Sequence, residues 1–325
     1  MAGPTDRGAT HRSVLVSLTV NCIETLGLAI AALVTHSVAL QAQTATNLAD
    51  VAVAVFLLIG VVSSTRPPDD SHPVGYGRER FFWSLFAALG IFVGGGGLAL
   101  GEAVRSAVHP ARIDDFALAY TVLAATFALD AFAAQFAIRP LRRQAAARGV
   151  PLRTLLLSST DTGAVTVALS GGCAAIGAVI AAVGLRLSQL TGSATPDTVA
   201  GAVIGLMLIA TSAVLLRTNR DLLVGRGVPP STLREMRAVI AGHRGVIDVP
   251  DLFAVVVGPS SLVVDGDVTF DDDMDVPAVE ESIERAAAAL RARWPSIHYI
   301  YLTPVARARP RRVAKSGAAR RRGRR

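Results

Sequence analysis

Two apolar stretches of the sequence each carry polar side chains at helical spacing. These residues are Gln43, Thr46, Asn47 and Asp50 in the first stretch, and Thr154, Ser158, Asp161 and Thr162 in the second. The first set has the spacing i, i+3, i+4, i+7, which places all four side chains on one face of an α-helix. Two helices that each present oxygen ligands around one Asp could enclose a small hydrated cation between them.

The carboxylates of Asp50 and Asp161 are the first candidates for ion binding. An ionisable side chain in mid-bilayer costs about 2.5–3.5 kcal/mol on insertion scales, so it normally faces a cavity or a partner. Two carboxylates with oxygen neighbours suit a divalent ion, and they could carry protons when the ion leaves. Helix–helix hydrogen bonding is the alternative role, and it is the one we favour for Gln43, Thr154 and Thr162.

Other polar residues also lie within apolar stretches: Asn21, Glu24, Glu102 and Asp130. Glu102 lies near the end of its stretch, where it could simply reach interfacial water. Asp130 lies deeper, and both a place in a proton path and a structural role are open for it.

The stretches that must position these residues are long enough to cross a membrane. Hydrophobic residues make up 51% of the chain and the mean hydropathy is +0.47, which excludes an ordinary soluble enzyme. A span needs about 20 mostly apolar residues to cross about 30 Å of hydrocarbon. Six stretches reach that length: 13–34, 37–63, 81–104, 116–138, 152–185 and 198–216. The fifth is overlong, so we expect it to tilt steeply or to continue as a helix outside the bilayer.

The arginines near the spans predict the orientation. They are concentrated before the first span, between the second and third, and between the fourth and fifth; the other side carries only Arg105, Arg112 and Arg186 in its loops. By the positive-inside rule, both termini face the cytoplasm. We expect the plasma membrane of a bacterium. The sequence has no convincing nucleophile–base pair, phosphate loop or cofactor motif, so we expect neither an enzyme nor a bound cofactor.

The chain changes character after Leu216. Helix 231–241, strands 252–257 and 262–270, helix 277–293 and strand 297–302 predict a small α+β sandwich. We therefore divide the chain into an N-terminal tail (1–12), a six-span domain (13–220), a cytosolic domain (221–305) and a basic tail (306–325). The tail is predicted to be disordered, and its charge could hold it against anionic lipid headgroups. Nucleic-acid binding is less favoured because no folded nucleic-acid module accompanies the tail.

The loop before the third span carries a long motif. Residues 72–83 read HPVGYGRERFFW, and four glycines follow at 94–97. This resembles the HPFGYGRERYFW…GGG signature of one branch of the cation diffusion facilitator family, the branch that includes the mitochondrial and nuclear zinc-transporter-like members. The segments SVAL (37–40), NLAD (47–50) and NRDLL (219–223) support the resemblance. The helix and strand order at the end of the chain is similar to the family's ferredoxin-like cytosolic domain.

The resemblance implies a homodimer of six-span subunits that exports zinc or a similar divalent ion in exchange for protons, by alternating access. It also implies a transport site between the second and fifth spans, where the polar residues lie. We assign to that site Asp50 and Asp161 as carboxylate ligands, with Asn47, Thr46 and Ser158 as neutral ligands. A weak metal site in the cytosolic loop would use Asp69, Asp70 and His72.

The chain departs from the family pattern at its ligand positions. Thr46 stands where the family usually has His or Asp, Leu157 stands where other branches have His, and Tyr76 replaces the second His of the loop site. A site short of nitrogen and charge suits Mn²⁺ or Mg²⁺, or binds zinc weakly. The alternative hypothesis is therefore a dimeric relative that no longer transports and has a regulatory or assembly role.

Overall fold

The computed structural model describes residues 4–35, 38–109, 116–147, 149–159 and 161–306. Within these ranges, the description does not extend to the side chains of residues 4–10, 31, 32, 34, 35, 38–46, 116, 118, 119, 157 and 158. The described chain forms two compact units, one of residues 4–227 with 255–262, and one of residues 228–254 with 263–306.

The first unit is a bundle of long apolar helices. Its helices are α1 (Pro4–Thr35), α2 (Val38–Ser63), α3 (Glu79–Gly90), α4 (Leu98–Val108), α5 (Phe116–Ala147), α6 (Leu152–Ser158), α7 (Thr162–Thr191) and α8 (Thr195–Val224). Five helical stretches of the described chain are long and apolar enough to cross a membrane. The remaining predicted span is α2, and its part Asn47–Ser63 is apolar but shorter than these five stretches.

The third predicted span is continuous but not uniform. α3 passes into a π-helical segment, Ile91–Gly97, and then into α4. The glycines of this segment allow close packing on α8, because a Cβ at Gly96 would lie 2.5 Å from Ile209 Cγ1 and 3.2 Å from the carbonyl oxygen of Gly205. The glycine run therefore serves helix packing and a local widening of the helix.

The expectation of one overlong fifth span is wrong. The chain forms a short α6, breaks at Ser159, and begins again as α7. Asp161 is the N-cap of α7: its carboxylate accepts a hydrogen bond from the main-chain N–H of Ala164 at 3.3 Å. A short polar side chain that satisfies a free N–H group stabilises a helix start, so the helix begins here.

The packed core of the bundle lies at one end of these helices. It includes Val61 near the end of α2, Ala87 in α3, Leu141 in α5, and Ala164 near the start of α7, all of them buried. Loop 64–78 joins α2 to α3 at this end. We call this end of the bundle the loop side; it is the side predicted to be cytoplasmic.

The C-terminal part of the chain contains α9 (Pro230–Ala241), α10 (Val276–Arg293) and a four-stranded sheet. Its strands are β1 (Val246–Asp248), β2 (Leu252–Gly258), β3 (Ser261–Phe270) and β4 (Ile297–Pro304). β3 pairs with the other three strands, and its pairing with β1 is antiparallel. The three-residue strand β1 was not predicted. The prediction of a mainly α membrane bundle followed by a small α+β domain is confirmed.

Candidate functional site

A cavity of about 330 Å³ lies among the membrane-spanning helices. Residues of α1, α2, the π-helical segment, α4, α5, α7 and α8 line it. Its polar lining consists of Ser17, Asn21, Glu24, Asn47, Asp50, Thr126, Asp130, Ser170 and Cys173. The described residues that line the cavity include no Lys, Arg or His, so its only ionisable charge is negative.

Three carboxylates from three helices converge on this cavity: Glu24 of α1, Asp50 of α2 and Asp130 of α5. They are close enough to interact electrostatically with one another. Glu24 Oε1 is buried and accepts no hydrogen bond within the described chain. Like charges in a cavity of low polarity repel unless cations or protons compensate them, so the arrangement favours binding of a cation.

Two amide side chains lie near Asp50, and one of them holds its main chain. Asn21 of α1 donates a hydrogen bond from Nδ2 to the main-chain carbonyl oxygen of Asp50, at 3.2 Å. Asn47 lies one turn earlier on α2, is only 6% exposed, and also lines the cavity. The side chain of Asp50 itself is exposed to the cavity. About 20 Å of helix separates Asp50 from the end of α2 at Ser63, which places Asp50 near the middle of its span.

Asp161 does not line this cavity. Its Oδ1 accepts a hydrogen bond from Arg80 Nη2 at 3.0 Å, and the two side chains are 7% and 5% exposed. The first cavity-lining residue of α7 is Val167, about 9 Å further along the helix. The predicted pairing of Asp50 with Asp161 around one ion is therefore not present in this structure. The physical reason is that Arg80 already neutralises Asp161 while the helix break turns its carboxylate back onto α7.

The neutral ligands predicted from the sequence have different outcomes. Asn47 lines the cavity with Asp50. The side chains of Thr46 and Ser158 lie outside the described residues. Glu24 and Asp130 were recognised as intramembrane acids but were not assigned to the site. No spacing pattern connects them, since they lie on helices far apart in the sequence.

The site is not a preformed metal cage. Among the described residues, no group of three or more His, Cys, Asp or Glu side chains is arranged to hold a metal ion. A cation bound beside Asp50 would therefore keep part of its water shell, or draw the helices closer together. Oxygen ligands with retained water are typical of Mn²⁺ and Mg²⁺ sites.

The predicted loop site is held by its own hydrogen bonds. Asp69 Oδ1 accepts hydrogen bonds from the main-chain N–H groups of Ser71 and His72 and from the Ser71 hydroxyl, and Tyr76 OH donates to Oδ2. The hydrogen bonds from Ser71 and Tyr76 hold the pKa of Asp69 well below its usual range. The His72 ring packs on Tyr76 with 4.1 Å between centroids. Asp69 therefore orders the loop, and its exposed neighbour Asp70 belongs to no group of three or more His, Cys, Asp or Glu side chains that could hold a metal ion within the described chain.

Known proteins resemble this chain over most of its length. Residues 14–224 match the family described as the cation efflux transmembrane domain. Proton-coupled zinc antiporter SLC30A9, mitochondrial, of Xenopus laevis is 28% identical over 258 residues, which are 79% of this chain and 46% of that protein. Metal tolerance protein C4 of Arabidopsis thaliana is 29% identical over 237 residues, which are 73% of this chain and 52% of that protein. The chain thus spans about half the length of these relatives.

A bacterial protein matches over more of its own length. Manganese efflux system protein MneP of Bacillus subtilis (strain 168) is 24% identical over 239 residues, which are 71% of this chain and 74% of that protein. The resemblance inferred from the loop motif and the polar spans is confirmed at the level of the family. Because the family match covers residues 14–224, which are more than half of the chain and most of the helical bundle, this chain belongs to the cation efflux family.

Proposed function

We propose that this protein is a proton-coupled exporter of divalent metal ions, and that the ion binds in the cavity beside Asp50. The observation that carries the proposal is the convergence of Glu24, Asp50 and Asp130 on a cavity whose described lining has no basic residue. The family match supports metal cation efflux as the activity. The ion is the substrate, and no resident cofactor is needed.

Charge balance provides the reason for proton coupling. Carboxylates that face one another in a cavity of low polarity need compensating positive charge. A divalent ion supplies that charge when the site is loaded, and protons supply it when the ion has left. An exchange of protons for the ion keeps the cavity close to neutral in both states, which lowers the cost of moving the site between the two sides.

Asp50 is the principal ligand in this proposal, and the side-chain amide oxygens of Asn21 and Asn47 are the neutral ligands beside it. Thr46 remains a proposed ligand because it precedes Asp50 by one turn of the same helix. Ser158 and Asp161 lie at or before the start of α7, so they would meet the ion only in a state in which the loop side is open. Glu24 and Asp130 hold protons and balance charge.

The ion is proposed to be Zn²⁺ or Mn²⁺. The names of the relatives include a zinc antiporter and a manganese efflux protein. The ligands around Asp50 are all oxygen atoms, a set that suits the harder Mn²⁺. Competition between the two ions in one uptake assay would rank them directly.

The remaining partners are also proposals. We propose a homodimer with both termini in the cytoplasm of a bacterial cell, on the basis of the family resemblance and the distribution of arginines. We propose that the basic residues after position 306 contact anionic lipid headgroups. Protection of the tail from protease by anionic, but not by neutral, vesicles would test that contact.

The experiment that tests the function uses purified protein in liposomes. We expect Zn²⁺ or Mn²⁺ uptake to be driven by an imposed pH gradient and to stop when an ionophore collapses the gradient. Calorimetry on the same preparation compares this proposal with the alternative of a dimer that no longer transports. Stoichiometric binding of the ion counts against the alternative, because a protein without transport function has no need of the site. Absence of both binding and gradient-driven uptake would overturn the proposal.

A further inference from the structure

We propose that the ion pair between Arg80 and Asp161 is the lock that closes the cavity on the loop side of the membrane. The inference rests on the proposed function, because it names the contact that must open for an ion to enter or leave on that side. Its test measures access to the cavity and not transport, so the two proposals can fail independently.

The pair joins two helices where both begin. Arg80 is in the first turn of α3, and Asp161 is the N-cap of α7. A second contact lies beside it: Ser84, one turn after Arg80 on α3, and Thr162, the residue after Asp161, share a hydrogen bond of 2.8 Å between their hydroxyl groups. The two contacts therefore hold α3 against the start of α7, with the ion pair lying nearer to the loop side.

A packed apolar layer separates the pair from the cavity. Ile91, the first residue of the π-helical segment that follows α3, and Val167 of α7 line the cavity. One turn closer to the loop side, Ala87 and Ala164 are buried in the core and line no part of it. Arg80 and Asp161 follow beyond that layer. A hydrated ion has no polar path through such a layer, so the helices must separate there before an ion can pass.

The chemistry of the pair suits a contact that opens and closes. Both side chains are almost completely buried, so removing one partner would leave an unpaired buried charge. Arg80 Nε is buried and donates no hydrogen bond within the described chain. The guanidinium is thus incompletely satisfied in the closed state, which limits the stability of that state relative to one in which water reaches the pair.

Both helices have a break that permits such a movement. α7 begins at Thr162 with Asp161 as its N-cap, shortly after Ser159, which ends α6 with an extended backbone (ψ 140°). α3 ends in the π-helical segment Ile91–Gly97. Segments of this kind interrupt the regular hydrogen bonds of a helix and are where helices bend. The α3 segment that carries Arg80 can therefore change its tilt without unfolding the rest of the span.

The chain contains a suitable reporter of access. Its sequence has two cysteines, and Cys173 lines the cavity whereas Cys22 does not. In a Cys22→Ser background, Cys173 is the only thiol. A membrane-impermeant, positively charged methanethiosulfonate reagent suits the negative cavity and can be added to either side of proteoliposomes. Labelling of a Val74→Cys variant that lacks both native cysteines identifies the loop side, since Val74 is 46% exposed in that loop.

The decisive variant combines Arg80→Gln with Asp161→Asn. It removes the ion pair without leaving a lone buried charge, and Asn caps a helix about as well as Asp. The matched control combines Glu102→Gln with Arg105→Gln, which removes an exposed ion pair of 2.8 Å on α4. With the native pair, we expect Cys173 to react from the side opposite the loop and at least tenfold more slowly from the loop side.

In the lock variant, we expect the rate from the loop side to rise at least tenfold, while the control keeps the native rates. The proposal is overturned if the lock variant elutes from a size-exclusion column at the native volume and its Cys173 still reacts at the native rate from the loop side. It is equally overturned if native Cys173 already reacts as fast from the loop side as from the other. Failure of the variant to fold is detected by its elution, and the native comparison still decides in that case.

Discussion

Asn21 Nδ2 and the main-chain carbonyl oxygen of Asp50 are 3.2 Å apart, so a hydrogen bond between two spans ends at the candidate ion-binding residue. This bond fixes α1 against α2 at the middle of the bundle. Asn21 and Asp50 both line the same cavity. An ion bound there would meet a carboxylate whose backbone is already held in place.

We therefore expect Asn21→Ala to weaken ion binding. A hydrogen bond of this kind contributes about 0.5–1.5 kcal/mol, which corresponds to about a two- to tenfold change in Kd. Calorimetric titration of purified protein with Mn²⁺ or Zn²⁺ measures the change. Thr19→Val is the matched control, because the exposed Thr19 hydroxyl donates its hydrogen bond to the carbonyl oxygen of Leu15 in its own helix. Equal Kd values for the two variants would refute a role for Asn21.

Asp130→Asn should reduce the number of protons released when the ion binds. Asp130 lines the cavity with Glu24 and Asp50 and interacts with both electrostatically. In the proposed exchange, protons compensate these charges when the ion is absent. A pH indicator in weakly buffered solution measures the protons released for each ion bound. Glu102→Gln, an exposed acid paired with Arg105, should leave that number unchanged. An unchanged number in Asp130→Asn would mean that this carboxylate takes no part in the exchange.

Gly96→Ala should destabilise the bundle, whereas Gly101→Ala should not. A Cβ at Gly96 would lie 2.5 Å from Ile209 Cγ1 and 3.2 Å from two backbone atoms of α8, but a Cβ at Gly101 would meet nothing within 4 Å. Overpacking of this kind costs about 1–3 kcal/mol. Thermal unfolding in detergent should show a lower Tm for Gly96→Ala alone. Equal Tm values would show that the π-helical segment does not need its glycines for packing on α8.

Asp69→Asn should loosen the loop between α2 and α3. The carboxylate accepts hydrogen bonds from Ser71, His72 and Tyr76, and these bonds lower its pKa. Because the pKa is lowered, the ionised carboxylate stabilises the folded loop at pH values above the pKa of a free Asp, which is about 4. This contribution is lost as the pH falls from that value towards the lowered pKa of Asp69. Tryptic cleavage after Arg78 should be faster in Asp69→Asn. Val74→Ala, an exposed change in the same loop, should cleave at the native rate.

The helical architecture and part of the site could be predicted from the sequence. Long apolar stretches have one stable form in a bilayer, so the membrane bundle follows from length and hydropathy alone. Asn47 and Asp50 share one helical face, and the structure places both on the cavity. Periodicity within one helix is a local property, which is why it was sufficient for this half of the site.

The second half of the site depended on contacts between distant segments. The sequence assigns Asp161 to the site because it lies among polar residues in the fifth apolar stretch and because the family resemblance implies a site there, but its partner Arg80 lies 81 residues away in the chain. The polar run Ser159 to Thr162 is itself a helix-start signal, and it would have predicted the break between α6 and α7. Glu24 and Asp130 are single acids on separate helices, so only the packing of α1 and α5 around the cavity identifies them as neighbours of Asp50.

The assignment of the ion to Asp50 can be tested with one pair of variants in liposomes. Asp50→Asn keeps the size and polarity of the side chain but removes the charge that faces the cavity, whereas Glu102→Gln removes a charge that lies outside it. With an imposed pH gradient, we expect the initial rate of Mn²⁺ or Zn²⁺ uptake to fall to the level of empty liposomes in Asp50→Asn and to stay native in Glu102→Gln. Native uptake by Asp50→Asn would contradict the central claim.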